Sequence, residues 1–399
     1  MALLRHGGMK KLFSKIYAPS TLGSFLREFT FGHVRQLDAV ASRFLTALAG
    51  LSLLCGRPGQ PAAGSGFALL DVDDTIIEVH GHKKQGVGFG YSRVRGLNAL
   101  IATLTTAASA PVIVAQRLRK GSCGSSRGAK RLIGDALKQA RRVLPAGTSV
   151  LVRMDSAFYG RPSVQAVLAG GAQVSVTARM TPTIKAAIAS IDEQAWTTIK
   201  YTDAIFDEDT REWVSRAEVA EVDFTAFASM KAADHVPGRL VVRRIPDFNA
   251  ATKAAAGQDG LFDAWRFHAF FTTSSPEVLD TVAADETHRG HAVIEQVNAD
   301  LKASALAHLP SGVFTANAAW LVCAVMAFNL TRTAATLTDT PSLRRATTAT
   351  IRRKLINVPA RIASSARRIV LHLPAHWPWE PAWTGLFNRV NDPPVPVTA

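Results

Sequence analysis

Two apolar segments of this 399-residue chain carry aspartates where a run that ought to be buried meets a turn. In FALLDVDDTIIEV, at 67–79, these are Asp71, Asp73 and Asp74; in TSVLVRMDSAFYG, at 148–160, it is Asp155. An unpaired carboxylate is costly to bury, so acids in such places are normally paired with a cation or bound to a metal. Residues two apart on a strand share a face, which groups Asp71 with Asp73 and turns Asp74 away. A third acid, Glu295, lies in THRGHAVIEQVNADLK. There His288, His291, Glu295, Asn298 and Lys302 follow at steps of three, four, three and four and share one helical face, while Val293, Val297 and Leu301 occupy another. A polar stripe of this kind suits either a helix lining an acidic metal site or a solvated face. Were the three acids to converge at the mouth of a sheet, two divalent cations would relieve their repulsion, activate water and stabilise the leaving oxygen of a phosphodiester. Hard oxygen donors suit Mg²⁺ or Mn²⁺.

The elements that must hold these residues follow from periodicity. Residues 1–66 read as a helical N-terminal region, with Phe31, Val34, Leu37, Val40, Phe44 and Leu45 at helical spacing. The Pro/Gly/Ala-rich stretch at 55–66 closes it. Residues 67–180 begin with the first aspartate strand. A Gly-rich basic hairpin follows at 80–96, carrying Lys83, Lys84, Arg93 and Arg95, and then two apolar runs within 97–118. The segment GSCGSSRGAKRLIGDALKQARRVL opens as a polar turn and becomes a basic amphipathic helix. After the Asp155 strand, VQAVLAGGAQVSVTARM supplies a short helix and another strand. This alternation predicts an α/β fold with a mixed sheet. Residues 181–279 change character, being acidic and strand-like, and are expected to form an inserted β-rich subdomain. Residues 280–335 are expected to hold a long helix starting near Thr287, which bears Glu295, and an apolar helix. Residues 336–399 form a basic tail: 341–372 contains eight Lys/Arg, Arg352, Arg353 and Arg367 among them, and no Asp or Glu. Trp377, Trp379 and Trp383, further on, are read as packing residues.

Composition narrows the function. With 47% apolar residues the chain is not disordered, and its length suggests two or three structural units. Three cysteines (Cys55, Cys123, Cys323) without a CxxC pair indicate neither a disulfide framework nor a zinc site, and point to a reducing, cytoplasmic setting. The start, MALLRHGGMKKLFSKIY, has no secretion-signal pattern. Residues 312–330 lack charge, but a spanning helix needs about 20 mainly apolar residues. Thr315, Asn317 and Asn329 make this stretch a buried core helix instead, so no membrane partner is expected. The 46 Lys+Arg against 31 Asp+Glu, net +15, point to a polyanionic partner, since basic side chains that neutralise phosphates release condensed counterions.

The order LLDVDDT, VRMDSAFYG, HRGHAVIEQVNADLK resembles the DDE transposases of bacterial insertion sequences, closest to the group-1 DDE domain of the IS-thirteen-eighty type. APSTLGSFLREFTFGHVRQLDAV, GFGYSRVRGLNALIAT and INVPARIASSARRIVLHLP add to the likeness, which runs over most of the chain. It implies an RNase H-like core with flanking helices and a β-rich insertion between the second Asp and the Glu, where 181–279 falls. It implies Asp73, Asp155 and Glu295 as catalytic ligands of two Mg²⁺ (or Mn²⁺). Related transposases show Tyr, Arg, Glu and Lys around the Glu. Here Glu295 and Lys302 are kept, and His288 and His291 stand at the Tyr and Arg positions. The DNA contacts expected are Lys302, His288, His291, Lys83, Lys84, Arg93, Arg95, Arg352 and Arg353. The implied partners are terminal inverted repeats, target DNA and a second copy in a synaptic homodimer, in a bacterial cytoplasm at the nucleoid. The resemblance also implies a longer region ahead of APSTLGSFLR, so that a shortened, DNA-binding but non-cutting remnant is the alternative. A rival enzyme reading uses the same strand: Asp71 as nucleophile and Asp73 as general acid of a haloacid-dehalogenase-type phosphatase.

Overall fold

A computed structural model describes residues 3–5, 7–13, 15–52, 66–81, 83–106, 109–208, 211–246, 265–366 and 368–391. The stretch at 55–66 apart from Gly66, with Cys55, and Arg367 of the basic tail lie outside the described residues. The aspartate-bearing apolar runs become β1 (Phe67–Glu78) and β5 (Ser149–Met154). Beside them lie β2 (Gly88–Phe89), β3 (Arg95–Thr106), β4 (Ser109–Arg119) and β6 (Gln173–Thr177). β1, β5 and β6 are parallel, β3 is antiparallel to β1, and β4 is antiparallel to β3. Strands this uniformly apolar belong to a sheet covered on both faces. One face is covered by α3 (Ala129–Val143), whose Leu132, Ile133 and Leu137 pack on Leu70, Val72 and Leu100. The other takes α8 (Phe314–Leu337), whose Leu321, Val325 and Phe328 meet Leu97, Ile101 and Ile113. The Gly-rich hairpin has a steric cause at Gly96, where a Cβ would collide with the carbonyl of Ile77.

Helix α8 is long and apolar enough to cross a membrane, yet 56% of its most apolar window is buried inside the fold. Its polar residues are used there. Asn329 Nδ2 donates to the Ile113 carbonyl and its Oδ1 accepts from the Ile113 N–H, each at 2.8 Å, which satisfies both backbone groups of Ile113 on β4. Asn317 closes a similar pair with the backbone of Ser311. In the N-terminal region, α1 (Pro19–Arg27) and α2 (Phe31–Ser52) lay Leu26, Val34 and Ala41 on Ala319 and Val322 of α8.

Two expectations are revised. The strands of 181–279 do not form a sheet apart. After α4 (Arg161–Ala169), β6 and α5 (Pro182–Ala189) come β7 (Thr197–Asp207), β8 (Glu212–Ala226), β9 (Val236–Pro246) and β10 (Trp265–Thr272). They extend the first sheet in the order β6-β10-β9-β8-β7, giving ten strands among the described residues. β6 would otherwise expose a row of unpaired backbone groups, and β10 covers it. The helix expected from near Thr287 is two helices, α6 (Thr281–Arg289) and α7 (Val293–Lys302), joined by a 3-10 turn at Gly290–Ala292. α6 starts early because Asp280 caps it, accepting from the Ala283 N–H at 2.8 Å. The break falls where Arg153 presses in: its Nη1 donates to the Thr287 carbonyl at 2.5 Å, and a Cβ on Gly290 would stand 2.6 Å from that nitrogen.

The basic tail is partly folded onto α8. Leu343, Ile351, Leu355 and Ala382 cluster with Ala335. An exposed ribbon, β11 (Arg361–Ser365) with β12 (Arg368–His372), precedes α9 (Glu380–Asn391). Trp379 carries the Lys354 ammonium 3.6 Å above its ring, and Trp383 stacks on Phe387, so both serve packing.

Candidate active site

The parallel register of β1, β5 and β6 sets Asp71, Arg153 and Ser175 side by side. Arg153 donates to Asp71 through two bonds of 2.7 Å, Nε to Oδ1 and Nη2 to Oδ2, and Nδ1 of His291 lies 2.8 Å from the same Oδ1. Asp71 is 0% exposed. A carboxylate enclosed in this way cannot attack a substrate, which removes the phosphatase reading that needs Asp71 as nucleophile.

Asp73 lies two residues further along the same face, and its Oδ2 accepts from Asn298 Nδ2 on α7 at 2.8 Å. Burial pushes its pKa up to about 6; the Asp74 backbone N–H and His291 pull it down, and Asp155 and Asp74 push it up. Asp155 leaves β5 at its end and caps the turn Ser156–Phe158, accepting from the Ala157 N–H at 2.9 Å. Burial raises its pKa as well, against the Ala157 N–H and His291. Among the described residues neither Asp73 nor Asp155 has a Lys or Arg partner. The buried acids nearby do. Asp74, on the opposite face, takes Arg119 Nη2 at 2.9 Å; Asp285 takes Arg243 at 2.6 Å and Arg289 at 2.8 Å; Asp300 is paired with Arg332.

Glu295 is exposed on α7. Its neighbours one turn before and after, His291 and Asn298, bond Asp71 and Asp73, so Glu295 sits on the helix face turned toward the acid strand. It is not drawn in with the two aspartates: among the described residues no three His, Cys, Asp or Glu side chains stand close enough to hold a metal ion.

The expected DNA contacts divide. His288 is corrected. Its ring stacks on Phe270 at 4.1 Å, Nδ1 lies 2.8 Å from Ser175 Oγ and Nε2 3.0 Å from Thr177 Oγ1, and burial holds its pKa well below the usual histidine range. A neutral ring with both nitrogens engaged has nothing left for a phosphate. Lys84 donates to the Leu309 carbonyl and Arg95 to those of Val79 and Gly81 at 3.0 and 2.7 Å, so both brace the hairpin. Lys83, Arg93, Lys302, Arg352 and Arg353 are exposed, free to meet a polyanion. The residue that sequence reasoning passed over is Arg153. A charged side chain inside the apolar run LVRM was its signal, and only the strand register supplies its partner.

A mixed α/β sheet with flanking helices, one acid within β1 and another just past the end of the adjoining β5, is consistent with a DDE nuclease fold. Residues 65–394 match the transposase DDE domain group 1 family, and the chain belongs to that family. None of the curated proteins compared with the chain matches it. Membership makes this a transposase-family enzyme that works on DNA, and DDE domains generally use divalent metal ions.

Proposed function

We propose that the chain is the transposase of a bacterial insertion sequence of the IS-thirteen-eighty type. It hydrolyses a phosphodiester at the element's ends and joins the freed 3′-OH to target DNA. The observation that carries this reading is the unmet charge of Asp73, within β1, and Asp155, just past the end of β5, two largely buried acids without the arginine that Asp71, Asp74, Asp285 and Asp300 each have. Buried carboxylates of this kind need a cation, and their oxygens are the hard donors that Mg²⁺ or Mn²⁺ prefers. Asp73 and Asp155 would hold the metal, and Glu295 would complete the set from α7. When bound, a pair of such ions polarises the phosphodiester and makes water or a 3′-OH a better nucleophile.

The protein's own groups prepare that site. Asn298 fixes Asp73, and the Ala157 N–H orients Asp155. Exposed Lys302, Lys83, Arg93, Arg352 and Arg353 hold the DNA backbone within the overall +15 field. The strand order β4-β3-β1-β5-β6, with β3 antiparallel, supports an RNase H-like core, and β7–β10, which fall between Asp155 and Glu295 in the chain, would be the family insertion. Two copies would synapse the two inverted repeats in the bacterial cytoplasm. The exposed Glu295, outside any three-residue cluster, favours the second reading, a DNA-binding remnant that no longer cuts. One assay separates them. Protein with Mg²⁺ and end-containing DNA nicks it if the enzyme reading holds, and Asp155→Asn abolishes nicking while binding survives. Equal nicking by that variant takes Asp155 out of the mechanism, and no nicking by the unaltered chain leaves the remnant.

A further inference from the structure

His291 and Asp71 are joined by more than proximity. Both Asp71 oxygens accept from Arg153, a side chain that keeps its protons at any physiological pH. Asp71 is therefore an acceptor only, and the 2.8 Å contact makes His291 Nδ1 the donor. A neutral imidazole that donates through Nδ1 carries its lone pair on Nε2. The ring bonds the residue two before Asp73 on the same face of β1, stands one turn before Glu295, and its side chain keeps 16% exposure. The frame behind it is rigid. Arg153 ties Asp71 to the last turn of α6, and the break at Gly290–Ala292 sets His291 in the corner between α6 and α7. His288, three residues earlier, is the contrast, with both nitrogens occupied by hydroxyls.

We propose that His291 is a catalytic base for the cut and Asp71 its positioning residue, an inference that rests on the reading of this chain as a DNA-cutting enzyme. Nε2 of His291 takes one proton of the attacking water as the water oxygen forms its bond to phosphorus. The bond from phosphorus to the 3′ oxygen breaks and its electron pair stays on that oxygen, which takes a proton from solvent. The imidazolium returns its proton to solvent. Asp71 exchanges no proton. The products are a 3′-OH and a 5′-phosphate.

The test compares single-turnover nicking of end-containing DNA in Mg²⁺ by the full chain and by His291→Gly, with and without added imidazole. Side-chain ¹⁵N NMR of the unaltered protein accompanies it. His291→Gly slows nicking by about 10²–10⁴-fold, leaves DNA affinity unchanged, and regains rate with imidazole. The NMR spectrum shows His291 protonated on Nδ1. Asp71→Asn, whose effect passes through the ring's orientation, slows nicking by about 10–100-fold. Unaltered protein that cuts while His291→Gly cuts equally well overturns the base alone. So does a variant that loses rate in step with DNA binding and gains nothing from imidazole, which makes His291 a phosphate contact. Should Asp71→Asn fail to fold, the tautomer decides: a proton on Nε2 overturns the proposal. Unaltered protein that does not cut overturns the functional reading and the base with it.

Discussion

Asp73→Asn should make the protein more stable at neutral pH while destroying its proposed chemistry. Asp73 titrates at 3.8 in an ordinary setting and at about 6 in the folded chain. The native state thus binds this proton more tightly than the unfolded state does. The contribution of Asp73 to stability is fully present below about pH 4 and is lost as pH rises through 6. Two pKa units correspond to about 3 kcal/mol, and because Asp73 is only partly enclosed the expected loss is about 1–3 kcal/mol. An Asn removes the ionisation and keeps an amide oxygen to accept from Asn298. With an unfolding entropy of about 2.1 cal/mol/K per residue, the melting temperature of the variant should lie about 1–4 °C above the parent at pH 7.5. At pH 4 the gain should vanish. Mg²⁺ should stabilise the parent more than the variant, by mass action on a site the variant has weakened. Thermal scans at the two pH values, with and without Mg²⁺, read all of this. A variant less stable than the parent at pH 7.5, or equally stabilised at both pH values, would refute the claim that an unmet charge sits at Asp73.

Three further outcomes are expected. Arg332→Met leaves Asp300 buried with, among the described residues, only the Thr348 N–H and hydroxyl as partners. It should cost about 3–5 kcal/mol in urea unfolding, and a loss under about 1 kcal/mol would show that the pair is dispensable. DNA affinity should fall about 10³–10⁵-fold between about 50 and 200 mM salt if about 6–10 phosphates are contacted. Replacing Arg352 and Arg353 together by Ala should flatten that salt slope by about 2, and an unchanged slope would place them off the DNA.

Much of the framework was legible because apolar runs such as LLDVDD and VLVRM have the length and β-branching of covered strands. The face shared by Asp71 and Asp73 followed from the two-residue repeat alone. What pairs with what was not legible. Nothing local marks β10 as the partner of β6, so the strands of 181–279 read as a separate unit instead of a continuation. The break at Gly290 depends on Arg153, 137 positions earlier in the chain, and the helical pattern of 281–302 runs through it undisturbed. The polar stripe on that helix was visible, but its members divide by depth. His288 is absorbed by Ser175 and Thr177, His291 and Asn298 reach the aspartates, and Glu295 and Lys302 remain in solvent. Among the basic residues, Lys84 and Arg95 spend their donors on carbonyls, which composition cannot foresee.

Because β7 to β10 are hydrogen-bonded in series onto β6, the outermost strand cannot swing relative to the aspartates without tearing backbone ladders. Six inter-strand steps separate β1 from β7, and at about 4.8 Å each they span about 29 Å before twist is counted. Whatever grips that far strand is held at a set offset from Asp73 and Asp155, so the sheet works as a ruler whose length was written into the chain by the number of strands placed between its two ends.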